Sequence, residues 1–151
     1  MQGSVTVHMS APAQEIWELI ADIRNTGRFS PETFEAEWVG DATGPAVGAR
    51  FRGHVRRNEV GPVYWSLCEV TACDPPSEFG FAVFLGERPV NNWHYRLVPA
   101  GDGTDVTESF RLNNAPWVPI YWLLGGFLRK RRNLRDMTKT LHRIKDVVEA
   151  S

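Results

Sequence analysis

Cysteine is scarce in this 151-residue chain: there are two, Cys68 and Cys73. They lie five apart, without the CxxC spacing of a zinc or dithiol motif, and a disulfide framework would need more of them. Along an unbroken strand their opposite parity would point them to opposite faces, so both are expected as reduced thiols. The four histidines, His8, His54, His94 and His142, are never within four residues of one another. HExxH is absent too, so no metal and no other cofactor is expected. GxSxG is missing, and GDGT at 101–104 precedes a strand pattern, which makes it a hairpin turn rather than a phosphate loop. No segment reaches the ~18–20 apolar residues that cross a bilayer. MQGSVTVHMSAP has neither the basic nor the apolar part of a signal peptide, so a cytoplasmic protein is expected. A net charge of −1 removes any bulk attraction to nucleic acid.

Aromatic residues are plentiful: eight Phe, six Trp and three Tyr, more than a small core needs. A chain of this length is expected to form one domain, residues 1–151, burying roughly two-thirds of its unfolded surface. Charge is unevenly placed. From Arg129 onward eight Lys/Arg face three acids, so the tail is about +5 and the remainder acidic.

The periodicity gives an order of elements. Residues 4–9 alternate as a strand. Ser10 offers an N-cap and Pro12 a first turn for the helix AQEIWELIAD. Residues 22–31 suit a second short helical turn or a loop. Strand patterns follow at 33–39, 49–58, 63–72, 78–85, 91–98 and 104–113, joined by short turns that imply antiparallel neighbours. Then the period changes. Phe127, Leu134, Leu141 and Val148 are seven apart, with Met137 and Ile144 between them, which predicts one long amphipathic helix over about 120–149. A seven-stranded sheet with one large helix must curl around it. The expected class is α+β, a helix-grip arrangement with two short helices after the first strand, and the space between sheet and helix must be filled by side chains or a ligand.

Parity within strands selects the interior. Phe51, Gly53 and Val55 share a face opposite Arg50, Arg52, His54 and Arg56; Trp93, Tyr95 and Leu97 share one opposite Asn92, His94 and Arg96. Only the apolar sets can face the helix. Val106, Phe110 and Leu112 have the inward parity, and Glu108 lies between them. A carboxylate among apolar neighbours is costly unless it is paired or holds its proton, which makes it a site candidate. It could instead reach the rim, pair with an arginine, or be turned outward by a bulge. The strand over 63–72 does not declare its inner face, since Trp65 and Leu67 compete with Tyr64, Ser66, Cys68 and Val70.

The segments SAPAQEIWELIAD, FSPE, FRGHVRRN, WSLCEVTACDPPSEFGFAV and WHYRLVPAGDGTDVTESF, with the terminal helix, resemble the START/Bet v 1-like (SRPBCC) superfamily, in particular its bacterial polyketide cyclase/dehydrase-like branch. The resemblance spans nearly the whole chain and rests on packing and turn signals. It implies a deep apolar cavity between sheet and helix that binds lipids, sterols, polyketides or hormone-like molecules, and in some members cyclises or dehydrates aromatic polyketides.

Three functions follow as expectations. The first is a carrier of a hydrophobic small molecule, lined by Phe51, Val55, Trp93, Tyr95, Leu97, Glu108 and Phe110 on the sheet. The second is a cyclase- or dehydratase-type enzyme with Glu108, aided by Tyr95, moving a proton. The third is a regulatory protein-interaction module. The stretch WVPIYWLLGGFLRKRR at 117–132 places Trp117, Tyr121, Trp122 and Leu124 at one end of the cavity. As a helix its twelve uncharged residues reach only about 18 Å, short of a ~30 Å hydrocarbon core. It can touch an anionic membrane while a lipid is exchanged, but not span one.

Overall fold

The alternation written into the first 112 residues produces seven strands. The computed structural model describes residues 2–56, 63–112 and 127–150, with side chains of the last segment from Lys130. The strands are β1 (Gln2–Met9), β2 (Thr33–Trp38), β3 (Arg50–Arg56), β4 (Val63–Asp74), β5 (Glu78–Leu85), β6 (Arg88–Ala100) and β7 (Gly103–Leu112). They pair in the order β1-β7-β6-β5-β4-β3-β2, each antiparallel to its neighbours. Helix α1 (Ala13–Ala21) and a 3-10 helix (Ile23–Arg28) follow β1, and a long helix, α2 (Phe127–Glu149), closes the chain. This is the expected α+β helix-grip architecture. The part of the predicted terminal helix before residue 127 falls outside the described residues.

Helix α1 buries Ile16, Trp17, Leu19, Ile20 and Ala21, and its Trp17 indole N–H donates to the Glu78 carbonyl at 2.8 Å. Its start differs from the sequence expectation. Pro12 is the N-cap and no side chain caps the helix. The Ser10 N–H instead donates to the Glu149 carboxylate at 2.9 Å, so a tertiary contact takes the place of the local cap. Lys145 pairs with the same carboxylate at 2.9 Å and donates to the His8 carbonyl at 3.2 Å. The C-terminal end of α2 is therefore tied to the end of β1.

Along α2 the predicted stripe is largely buried, with Met137, Leu141, Ile144 and Val148 inside and Leu134 half-buried. The helix packs on β1, β7 and α1. Its close approach depends on Gly3, where a Cβ would lie 2.9 Å from the Phe110 ring and 3.0 Å from Leu134. A Cβ there would force the Phe110 ring or the Leu134 methyl to shift.

β4 resolves its ambiguity in favour of Tyr64, Ser66, Cys68 and Val70, since Cys68 and Val70 are buried while Trp65 stays 42% exposed on the outer face. The strand is not unbroken. Its register shifts between Val70 and Ala72, and Cys73 then pairs with the buried Phe79. The extra residue restores inward parity, so Cys68 and Cys73 share the inner side as free thiols rather than pointing to opposite faces.

Leu141 is fully buried on α2, so Leu141→Ala should cost about 3 kcal/mol through lost burial and the cavity it leaves. The exposed Lys139→Ala should change stability by less than ~0.5 kcal/mol. Urea denaturation measures both, and similar values for the two would contradict this packing.

Candidate functional site

The inner face of the sheet is built in three rows that run across the strands. In the first, Phe79 on β5 stands beside Tyr95 on β6, then Glu108 on β7, then Val5 on β1. In the second, Phe81, Trp93, Phe110 and Gly3 follow one another in the same way. The third holds Val83, Asn91 and Leu112. β7 keeps an unbroken register with both neighbours, so no bulge turns Glu108 outward. It is 2% exposed and lies among apolar side chains.

Glu108 has one partner among the described residues, and it is not an arginine. The Tyr95 hydroxyl is hydrogen-bonded to its carboxyl, while Oε2 is buried with no partner. Removal from water pushes the Glu108 carboxyl from 4.5 up to about 8, and the Tyr95 bond opposes this only in part. Burial likewise raises the Tyr95 phenol well above its ordinary value, with the Glu108 carboxyl adding to the effect. At neutral pH the pair is therefore mainly a carboxylic acid beside a neutral phenol. The acid carries one proton that it can donate, and the phenol holds the carboxyl in place.

The structure places Phe51, Val55, Tyr95, Leu97, Glu108 and Phe110 in the buried interior. Trp93 is half-buried, its ring 5.7 Å from that of Phe110 at 41°. Phe51 contacts the ring of Phe81 at 5.2 Å, edge to face. Trp117, Tyr121, Trp122 and Leu124 lie outside the described residues. Sequence reasoning missed Asn91, whose side-chain oxygen is the other buried polar atom without a partner among the described residues. The signal was available: Asn91 is two residues before Trp93, so it has the inward parity. By contrast, the buried Thr104 hydroxyl donates to the Ala11 carbonyl at 2.8 Å, and that of Thr140 donates to the Asp136 backbone carbonyl at 2.9 Å. Among the described residues, buried side-chain polar atoms without a partner are thus confined to the face bearing Tyr95, Trp93 and Phe110.

The outer face carries a different cluster. Trp65 stacks on His54 at 4.2 Å and 9°, Phe34 adjoins His54 at 4.3 Å, and Arg52 covers Trp65 at 4.3 Å. Glu35 holds the His54 ring at 2.8 Å. A depression of about 250 Å³ lined by Pro31, Glu32, Phe34 and Arg56 adjoins it. That depression has no buried unsatisfied group among the described residues, and it is a surface hollow rather than the site.

Residues 2–149 match the family model described as polyketide cyclase/dehydrase and lipid transport. Solved structures with the same fold include a Thermus thermophilus protein, 17% identical with a TM-score of 0.76, covering 99% of this chain and 98% of that one. A START superfamily protein from Mycobacterium smegmatis is 18% identical with a TM-score of 0.72, covering 99% and 97%. A polyketide-cyclase-like protein from Corynebacterium glutamicum is 27% identical with a TM-score of 0.62, covering 98% and 91%. No curated protein matches the chain in sequence.

The raised Glu108 value fixes the sign of a pH effect. A carboxyl at about 8 when folded and 4.5 when free imposes no penalty below the lower value. Native stability then falls as pH rises towards the upper one, by an order of 4 kcal/mol for a fully buried group. Glu108→Gln removes this dependence. Denaturation from pH 4.5 to 8.5 should therefore show the variant gaining on the wild type throughout the range, whereas a constant difference would contradict the buried acid.

Proposed function

Because this chain belongs to the polyketide cyclase/dehydrase and lipid transport family, we propose that it binds and carries a hydrophobic small molecule between the inner face of its sheet and helix α2. The observation that carries this reading is the middle row of the inner face. Phe81 and Trp93 remain half-buried there, although they stand in the middle of the sheet and on its interior side. Apolar surface held in that position is completed by an apolar occupant, with about 25 cal/mol gained per Å² covered. Phe51, Val55, Leu97 and Phe110 support the same surface from within the core. Trp117, Tyr121, Trp122 and Leu124 extend this proposed lining in the sequence. Free Cys68 and Cys73 suit a reducing cytoplasm, where we place the protein.

A second reading rests on the Glu108–Tyr95 pair. A buried carboxylic acid that releases its proton near neutral pH is suited to general acid–base work on a carbonyl-bearing molecule. That would make the protein a polyketide cyclase- or dehydratase-type enzyme. The readings separate at Glu108→Gln: retained binding with turnover of an aromatic polyketide abolished identifies an enzyme, and turnover absent from the wild type identifies a carrier.

Contact with an anionic membrane accompanies the carrier reading. Among the described residues no helix is long and apolar enough to cross a membrane. However, α2 exposes Arg131, Arg135, Lys139 and Arg143 at successive intervals of four, which makes one cationic stripe. Just before the helix the sequence carries the uncharged WVPIYWLLGG. Aromatic residues beside a basic stripe suit the interface of acidic lipids, each cation contributing about 1 kcal/mol.

Two outcomes are expected. An anilinonaphthalene dye should bind the wild type, and Phe81→Glu should weaken it at least ~10-fold through burial of a charge, while Val98→Glu on exposed surface should not; a wild type that takes up no dye would sink the carrier reading. Phosphatidylserine vesicles should sediment the protein at low salt and release it at high salt, with Arg135→Glu/Lys139→Glu reducing the bound fraction; a protein that stays in the supernatant at low salt would remove the membrane contact.

A further inference from the structure

The inner face leaves two polar atoms unsatisfied among the described residues, Glu108 Oε2 and Asn91 Oδ1. Both belong to the inward set of adjacent strands, and the pairing fixes their separation. Glu108 stands opposite Tyr95, and Asn91 is four positions from Tyr95 along β6 with no register break between β6 and β7. At ~3.3 Å per strand residue and ~4.8 Å between strands the two sites are about 14 Å apart. The row between them is entirely apolar, made of Phe81, Trp93 and Phe110. A buried polar atom without a partner costs about 1–3 kcal/mol, so two on one face imply a group that completes them.

The chemistry at each end differs. The Glu108 carboxyl already engages the Tyr95 hydroxyl, and in its protonated form Oε2 has one O–H to donate and no acceptor to receive it. A carbonyl oxygen supplies that acceptor without bringing a charge into the apolar interior, as an ionised carboxylate would. The Asn91 side chain presents an amide oxygen, and the amide can also turn its NH2 to the same point. A hydroxyl satisfies either orientation, since it both donates and accepts.

We propose that the inner face recognises its ligand at two points and takes an elongated apolar hydroxy-ketone. The carbonyl oxygen accepts from Glu108, the hydroxyl bonds to Asn91, and the apolar midsection lies on Phe81 and Trp93, with Phe110 beneath them. This assignment rests on the carrier reading above and adds the polar pattern of the cargo. No covalent step is involved. Tyr95 acts as a positioning residue that holds the carboxyl.

Four probes of one chain length test it, each a straight chain of about a dozen carbons to match the span between the two strand positions. One carries a methyl ketone at one end and a hydroxyl at the other, one the ketone alone, one the hydroxyl alone, and one neither. Displacement of a bound anilinonaphthalene dye gives the affinities. The hydroxy-ketone should bind best, each group adding about threefold to tenfold, as a single net hydrogen bond does. Asn91→Leu should erase the advantage of the hydroxyl and keep that of the ketone; Glu108→Leu should do the reverse. General damage to the fold cannot produce this crossed pattern, and the four wild-type affinities stand even if a variant fails to fold. Equal binding of all four probes, or parallel loss of both advantages in each variant, overturns two-point recognition while apolar binding stands. Failure of the dye and every probe to bind overturns the carrier reading with it.

Discussion

The inward placement of Glu108 constrains everything around it. Its position follows from the continuous pairing of β7 with β1 and β6, which leaves the carboxyl no route to solvent. A charge there would have to be desolvated at a cost of several kcal/mol. The protein meets that cost by keeping the proton and by aiming one phenol at the carboxyl. Acid, phenol and surrounding aromatic rings therefore form one unit: remove the apolar neighbours and the carboxyl ionises, remove the phenol and it loses its orientation.

Most of the fold was legible because its signals are local and periodic. Alternation gave seven strands, and a change of period gave the long helix. Parity alone placed Phe51, Val55, Tyr95, Leu97 and Phe110 on the interior. It also placed Glu108 there, among alternatives that only pairing could eliminate: an arginine partner, a rim position or a bulge. What was not legible depended on register and on contacts between distant segments. Cys73 turns inward because of one extra residue in β4, which no pattern in WSLCEVTACD announces. Ser10 looked like a cap, but its N–H is taken by Glu149, 139 positions later in the chain. Asn91 was passed over for a different reason: a polar residue at the edge of an apolar run reads as the end of the strand rather than part of its face.

The two faces of the sheet use aromatic residues in contrasting ways. Outside, Trp65, His54 and Phe34 contact arginines and Glu35, while Trp65 and Phe34 each remain 42% exposed. Ion pairs tie the same strands together, with Arg50 on Glu69 at 3.0 Å and Arg52 on Glu37. Such exposed pairs contribute little individually, but they keep β2, an edge strand, dressed in charge, which discourages pairing with another chain. Inside, Phe81 and Trp93 pack against other aromatic rings, those of Phe51 and Phe110, so the two faces pair their rings with different chemistry.

The knot at the end of α2 has a mechanical consequence. Glu149 and Lys145 fasten the last turns of the helix to Ser10 and to the backbone of His8, so that end is a fulcrum. The 23 residues of α2 make an arm of about 34 Å at 1.5 Å per residue. A pivot of only about 5° at the fulcrum sweeps the opposite tip through about 3 Å, roughly the thickness of a flat hydrocarbon. The angle set at one ion-paired corner is thereby magnified into the position of the helix's first turn.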